Sequence, residues 1–120
     1  DIARIYSDGS FTILGRKDNV INSGGIKIQA EEVEKLLHPF IPVPFVITSV
    51  PDPRLGQAVT LLLAGRLDME ELKNKVQEIL TPYYRPKYIR VVDFIPQTGN
   101  GKIDRAKCRA LASALVEKRL

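Results

Sequence analysis

The sequence predicts an α+β fold, a small three-stranded sheet with packed helices plus short β-hairpins. Runs rich in Val, Ile and Leu alternate with segments whose apolar residues recur at helical spacing. Turns that contain Gly or Pro separate these segments. Short, interspersed strands and helices are typical of a sheet with helices packed on it, and 120 residues suffice for a substantial core.

Two hairpins are expected near the start of the chain. Ile2–Tyr6 and Phe11–Leu14 are predicted as short strands joined by a Ser-Asp-Gly-Ser turn. The polar stretch Gly15–Asn19 follows and is interpreted as a boundary or hinge. Residues 20–21 and 26–28 flank an Asn-Ser-Gly-Gly sequence, which indicates a second hairpin.

Three core strands and three helices are expected after these hairpins. The strands are predicted over 43–50, 58–64 and 88–95, because of their β-branched and aliphatic content. The helices are predicted over 30–37, after an N-cap at Asp68, and from 104 to about 115. Their apolar faces are expected to contain Val33, Leu36 and Leu37; Leu72, Val76, Ile79 and Leu80; and Cys108, Leu111, Ala112 and Leu115.

Composition excludes several classes of protein. The net charge of +4 is mild, and the basic residues are scattered without interleaved aromatic residues, which argues against nucleic acid as a partner. No apolar run approaches the ~18 residues of a membrane span. Cys108 is the single cysteine, so an internal disulfide is excluded and a reducing cytoplasm is expected. One Cys and one His cannot assemble a zinc cluster, and no metal site is predicted.

Lys102 is the first candidate functional residue. It follows Gly99 and Gly101 in a loop that can turn tightly and carry a cationic side chain outward. A Walker A loop is excluded, because Pro96 stands where its first glycine belongs and Ile103 replaces the Ser or Thr after the lysine. No Gly-x-Gly-x-x-Gly sequence follows a strand, which excludes a Rossmann site as well.

Two runs of the sequence together resemble a known family. The first comprises Gly-Arg-Lys-Asp-Asn-Val-Ile at 15–21, Ser-Gly-Gly-Ile-Lys-Ile at 23–28 and Glu-Val-Glu at 32–34. The second is Pro-Gln-Thr-Gly-Asn-Gly-Lys-Ile-Asp-Arg at 96–105. Their order and spacing resemble the hinge signature and the C-terminal lysine motif of the adenylate-forming superfamily, which includes acyl-CoA synthetases, peptide-synthetase adenylation domains and luciferases. The resemblance covers the whole chain.

The resemblance implies that this chain is the mobile C-terminal lid of a longer enzyme. Residues 1–15 match the tail end of the N-terminal adenylating domain, 16–19 the hinge and 20–120 the lid. A partner is therefore expected in the chain's own N-terminal domain, which holds most of the ATP site and the pocket for a small-molecule carboxylic acid. The implied cofactors are ATP with Mg²⁺, bound mainly by that domain, and coenzyme A as co-substrate.

The resemblance also assigns roles to individual residues. Asp1 and Arg16 match ATP/AMP-binding residues, and Lys102 matches the lysine that contacts the nucleotide and catalyses adenylation. Asp18 matches the residue about which the lid rotates. The tunnel for the pantetheine arm of coenzyme A is implied at Gly24, Gly25 and Lys27, although hairpin geometry alone also explains the glycines and Lys27 can simply be solvated. Glu32 and Glu34 are interpreted as acids at a helix N-terminus.

Three functions stay open at this point. The lid of a CoA ligase is favoured, because 19–25 departs from the Gln-Val-Lys-Ile-Arg-Gly-like stretch of peptide synthetases, and no carrier domain is expected after the lysine motif. The lid of a carrier-loading adenylation domain is the alternative. A non-catalytic binding module is the third.

Overall fold

The computed structural model of the chain describes residues 2–5 and 11–15, as strands, and residues 19–117. Two antiparallel strands, β1 (Ile2–Ile5) and β2 (Phe11–Gly15), pair as the sequence predicts, and the predicted turn between them lies outside the described residues. The remaining described residues contain a five-stranded sheet, three α-helices and two single-turn 3-10 helices, His38–Phe40 and Pro82–Tyr84. Their bounds are β3 (Val20–Ser23), β4 (Ile26–Gln29), α1 (Ala30–Leu37), β5 (Phe45–Asp52), β6 (Gly56–Leu63), α2 (Met69–Ile79), β7 (Tyr88–Val91) and α3 (Arg105–Glu117). The α+β class is confirmed.

Strand β6 is the centre of the sheet. One edge pairs antiparallel with β5 along all eight residues, from Phe45 opposite Leu63 to Asp52 opposite Gly56. Its other edge pairs with β3 at Ser23 and, in parallel, with β7. The three predicted core strands are therefore β5, β6 and β7, and the β3–β4 hairpin extends their sheet to five strands.

Both faces of the sheet are covered by helices. Ile47, Val59 and Leu61 belong to a core that contains residues of α1 and α2. Val46, Ala58 and Leu62 point to the opposite face, where they pack with residues of α3. Successive strand residues alternate between the two cores, as the pleat of a strand requires. The result is three layers, with α1 and α2 on one side of the sheet and α3 on the other.

The predicted helices occur with small differences. Helix α1 has the predicted bounds, but Leu36 is 44% exposed, so its assignment to the apolar face is wrong. At about 100° per residue, Leu36 is turned about 90° away from the centre of the face formed by Ala30, Val33 and Leu37. Asp68 caps α2 by accepting bonds from the backbone N–H groups of Glu70 and Glu71.

Cys108 is confirmed as a core residue of α3, fully buried beside Ala112. Burial raises the pKa of its thiol to about 11, which leaves the thiol protonated near neutral pH. A buried, protonated thiol behaves as a small apolar side chain. No helix among the described residues is both long and apolar enough to cross a bilayer.

Candidate functional site

Lys102 stands at the end of a tight hairpin loop. The N–H of Gly101 donates to the carbonyl of Thr98 (3.0 Å), and the N–H of Thr98 donates to the carbonyl of Lys102 (2.7 Å). Gly101 has φ +80°, in the left-handed region. This combination is a three-residue hairpin loop, a turn followed by a bulge that requires a left-handed residue. The glycine before the lysine is therefore fixed by backbone geometry.

The base of this hairpin is joined to the core. Gln97 and Ile103 pair as an isolated antiparallel bridge, and the N–H of Asp104 donates to the carbonyl of Pro96 (2.9 Å). Ile95, just before the hairpin, is buried in the core under α3. The backbone that carries Lys102 is therefore held at both ends.

The Lys102 side chain itself is exposed. Among the described residues, no group forms an ion pair or hydrogen bond with its ammonium. Asp104, two residues further, accepts a bond from the backbone N–H of Lys107 (3.1 Å) and so caps the start of α3. Lys102 is thus a cation on a short, defined loop, with its charge available to an anion outside the described chain.

The predicted pantetheine loop is a second tight hairpin. Gly24 (φ +59°) and Gly25 (φ +85°) lie between β3 and β4, and Ser23 pairs with Ile26. Two consecutive left-handed residues are the mark of a type I′ turn, which accounts for glycine at both positions. A Cβ on Gly25 would meet nothing within 4 Å, whereas one on Gly24 would lie 3.3 Å from Leu55.

The turn between β5 and β6 supports this glycine loop. The N–H of Gly24 donates to the carbonyl of Leu55 (2.8 Å). Asp52 holds that turn by accepting bonds from the N–H groups of Arg54 (2.8 Å) and Leu55 (2.9 Å). Lys87 donates to the other carboxylate oxygen of Asp52 at 2.6 Å. That bond and the two backbone donors lower the pKa of Asp52 to about 2, so the carboxylate is charged at neutral pH.

The two loops lie at opposite ends of β5. Asp52, at the end of the strand, belongs to the turn beside Gly24, whereas Gln97 and Ile103 line a surface groove with Phe45, at its beginning. From Phe45 to Asp52 a strand rises about 23 Å at 3.3 Å per residue. Lys102 is therefore not brought together with Gly24 and Gly25. Lys27, opposite Asn22 in the β3–β4 hairpin, is exposed and belongs to the glycine end.

Three of the residues singled out from the sequence, Asp1, Arg16 and Asp18, lie outside the described residues. Within the described ranges, no group of three or more His, Cys, Asp or Glu side chains is placed to hold a metal ion.

An ion pair that sequence reasoning missed fixes the start of α3. Arg105 and Glu34 form two parallel bonds, at 2.6 and 2.8 Å, and both side chains are more than four-fifths buried, with exposures of 17% and 16%. Glu34 was interpreted only as an acid near a helix N-terminus. The lysine motif and the Glu-Val-Glu run were both recognised, but nothing in the sequence shows that a residue of one pairs with a residue of the other.

The profile of the AMP-binding enzyme C-terminal domain family matches residues 32–102, more than half of the chain. The chain belongs to this family. Among similar proteins, 2-succinylbenzoate–CoA ligase from Lactococcus lactis is 32% identical over 110 residues, which cover 91% of this chain and 24% of that protein. Medium/long-chain-fatty-acid–CoA/3-oxocholest-4-en-26-oate–CoA ligase from Mycobacterium marinum is 38% identical over 110 residues, 87% of this chain and 20% of that protein.

A solved structure shows the same fold. The crystal structure of ATP-bound MatB from Rhodopseudomonas palustris superposes with a TM-score of 0.81, at 21% identity, over 94% of this chain and 24% of that chain. The present chain thus spans about a quarter, or less, of the length of these relatives.

Proposed function

We propose that this chain is the C-terminal lid of an ATP-dependent, AMP-forming carboxylate–CoA ligase. In the first half-reaction, a carboxylate oxygen attacks the α-phosphorus of ATP, the bond to pyrophosphate breaks, and an acyl-adenylate forms. In the second, the thiol of coenzyme A attacks the acyl carbonyl and AMP leaves. The products are acyl-CoA, AMP and pyrophosphate.

The observation that carries the proposal is the exposed ammonium of Lys102, which no residue in the described part of the chain pairs with, on a hairpin of fixed geometry. During adenylation, negative charge builds up on the carboxylate and phosphate oxygens in the transition state. A preorganised cation stabilises this charge best in a site that is closed to water. Lys102 supplies that cation when the lid closes on the N-terminal domain. Arg16 and Asp1 contribute contacts to the nucleotide in the same state.

The lysine hairpin and the Gly24–Gly25 hairpin lie at opposite ends of β5. This separation supports a lid that turns one hairpin toward the N-terminal domain in the first half-reaction and the other in the second. Rotation about Asp18 withdraws Lys102 and brings the Gly24–Gly25 hairpin, with Lys27, beside the thiol arm of coenzyme A. The open space around the Cα of Gly25 suits the close approach of an extended ligand.

For the acid, we propose o-succinylbenzoate, the substrate of a ligase in menaquinone biosynthesis, as the first compound to test. One relative is named for succinylbenzoate and another for fatty and steroid acids, so a fatty acid is the comparison substrate. The pocket that selects the acid belongs to the N-terminal domain.

Replacement of Lys102 by Ala in the full-length protein tests the proposal. Acid-dependent pyrophosphate exchange should fall about 10²–10³-fold, the effect of removing one charge-stabilising donor. Thioester formation from supplied acyl-adenylate should change by less than about threefold, since Lys102 is withdrawn in that step. Lys107→Ala, an exposed lysine in the first turns of α3, is the matched control and should alter neither rate. Equal loss of both half-reactions in Lys102→Ala would contradict the proposal.

A further inference from the structure

The Glu34–Arg105 ion pair lies where the two helical layers meet at the edge of the sheet. Strand β5 pairs only with β6, so its other edge is open among the described residues. At Ile47 that edge is closed by side chains, because the N–H of Ile47 donates to Glu34 (2.9 Å) and its carbonyl accepts from Arg105 (3.3 Å). The pair satisfies a buried backbone N–H and carbonyl as a neighbouring strand would.

The pair also joins three elements that are distant in sequence. Glu34 belongs to α1, Ile47 to β5, and Arg105 is the first residue of α3. Two parallel bonds between a guanidinium and a carboxylate fix orientation as well as distance. A buried pair of this kind is a weak source of net stability, because desolvation offsets its attraction. Its consequence for the molecule is therefore mainly geometric.

Arg105 is three residues from Lys102. Of the two intervening residues, Ile103 pairs with Gln97 and Asp104 donates its N–H to Pro96. The position of Arg105 therefore fixes the position of the lysine hairpin. The Gly24–Gly25 hairpin has its own support in Asp52 and lies at the other end of β5. A substitution of Arg105 should therefore displace the lysine hairpin and leave the Gly24–Gly25 hairpin in place.

On these grounds, and resting on the proposed function, we infer that Arg105 and Glu34 are positioning residues for Lys102. They hold the base of the lysine hairpin against α1 and β5, so that the ammonium reaches the reacting phosphate when the lid closes. Neither residue touches substrate. Their effect is confined to adenylation.

The test is a double-mutant cycle between Arg105 and Lys102 in the full-length protein. Arg105→Lys keeps the charge but cannot form the two parallel bonds. It should lower kcat for acid-dependent pyrophosphate exchange about 10- to 100-fold, the scale for a misplaced catalytic group. Thioester formation from supplied acyl-adenylate should stay within about threefold. In a Lys102→Ala background, Arg105→Lys should cause almost no further loss, because it acts through the lysine.

Two further variants separate positioning from folding. Glu34→Gln removes the charge of the partner and should reproduce the selective loss of adenylation. Glu78→Gln disrupts the exposed Lys75–Glu78 pair of α2 and should leave both half-reactions unchanged. Urea unfolding of each variant shows whether the lid is still folded under assay conditions.

The outcomes distinguish the inference from the proposed function. If Arg105→Lys slows both half-reactions equally, Arg105 has a structural role and the inference is overturned. The same holds if Arg105→Lys slows pyrophosphate exchange as much in the Lys102→Ala background as in the wild type. Adenylation that depends on Lys102 but not on Arg105 would overturn the inference alone. Adenylation that survives Lys102→Ala would overturn the proposed role of the lysine, and the inference with it.

Discussion

Replacement of Gly101 by Ala tests the geometry of the lysine hairpin. Gly101 has φ +80°, and a Cβ there would meet nothing within 4 Å. The cost of the substitution is therefore backbone strain alone, about 1–2 kcal/mol for an L-residue in the left-handed region. Gly99 is the matched control, since its Cβ also meets nothing within 4 Å and its φ lies outside the left-handed region.

This strain should lower the population of the observed hairpin conformation without unfolding the rest of the chain. A cost of about 1 kcal/mol lowers the population of the observed loop relative to alternatives about fivefold. Pyrophosphate exchange by the full-length protein should fall several-fold in Gly101→Ala and stay near wild type in Gly99→Ala. Gly101→Asn should lose less than Gly101→Ala, because Asn tolerates left-handed φ better than other residues. Equal rates in Gly101→Ala and Gly99→Ala would refute the reasoning.

Two further predictions concern Asp52, which supports the Gly24–Gly25 hairpin, and the hinge residue Asp18. The pKa of Asp52 is about 2 in the folded chain against 3.8 ordinarily, so its stabilisation is complete above about pH 4 and is lost as the pH falls toward 2. The difference in unfolding free energy between wild type and Asp52→Asn, from urea titrations, should shrink over that range; a constant difference would contradict the assigned pKa. Asp18→Pro in the full-length protein fixes φ at the proposed pivot and should spare adenylation while transfer to coenzyme A collapses. Near-normal rates in both half-reactions would exclude rotation about this residue.

The local features of the fold could be predicted from the sequence. Helix α1 has its predicted bounds, and Asp68 caps α2, because side-chain periodicity and capping act within a few residues. The strand bounds were less accurate, since they depend on partners. The third core strand was expected to reach Ile95, but β7 ends at Val91, opposite Leu63, where its partner β6 also ends.

The long-range contacts could not be predicted. The β3–β4 hairpin joins the large sheet through Ser23 and Gly56, and no local pattern specifies that pairing. In the same way, Lys102, Gly24 and Gly25 were found from their motifs, whereas Glu34 and Arg105 meet only because α1, β5 and α3 converge. Sequence motifs thus identified the candidate loops, and the structure was needed to find what holds the lysine loop in place.

A reciprocal pair of variants tests the central claim most directly, that the lid serves the two half-reactions with two separate loops. Gly25→Asn adds a side chain where a Cβ meets nothing within 4 Å, and Asn tolerates the φ of +85°. Measured in the full-length protein beside Lys102→Ala, it should slow thioester formation from acyl-adenylate and coenzyme A by about tenfold or more while pyrophosphate exchange continues. Lys102→Ala should do the reverse. If both variants slow the same half-reaction, or each slows both equally, the two-loop account is wrong.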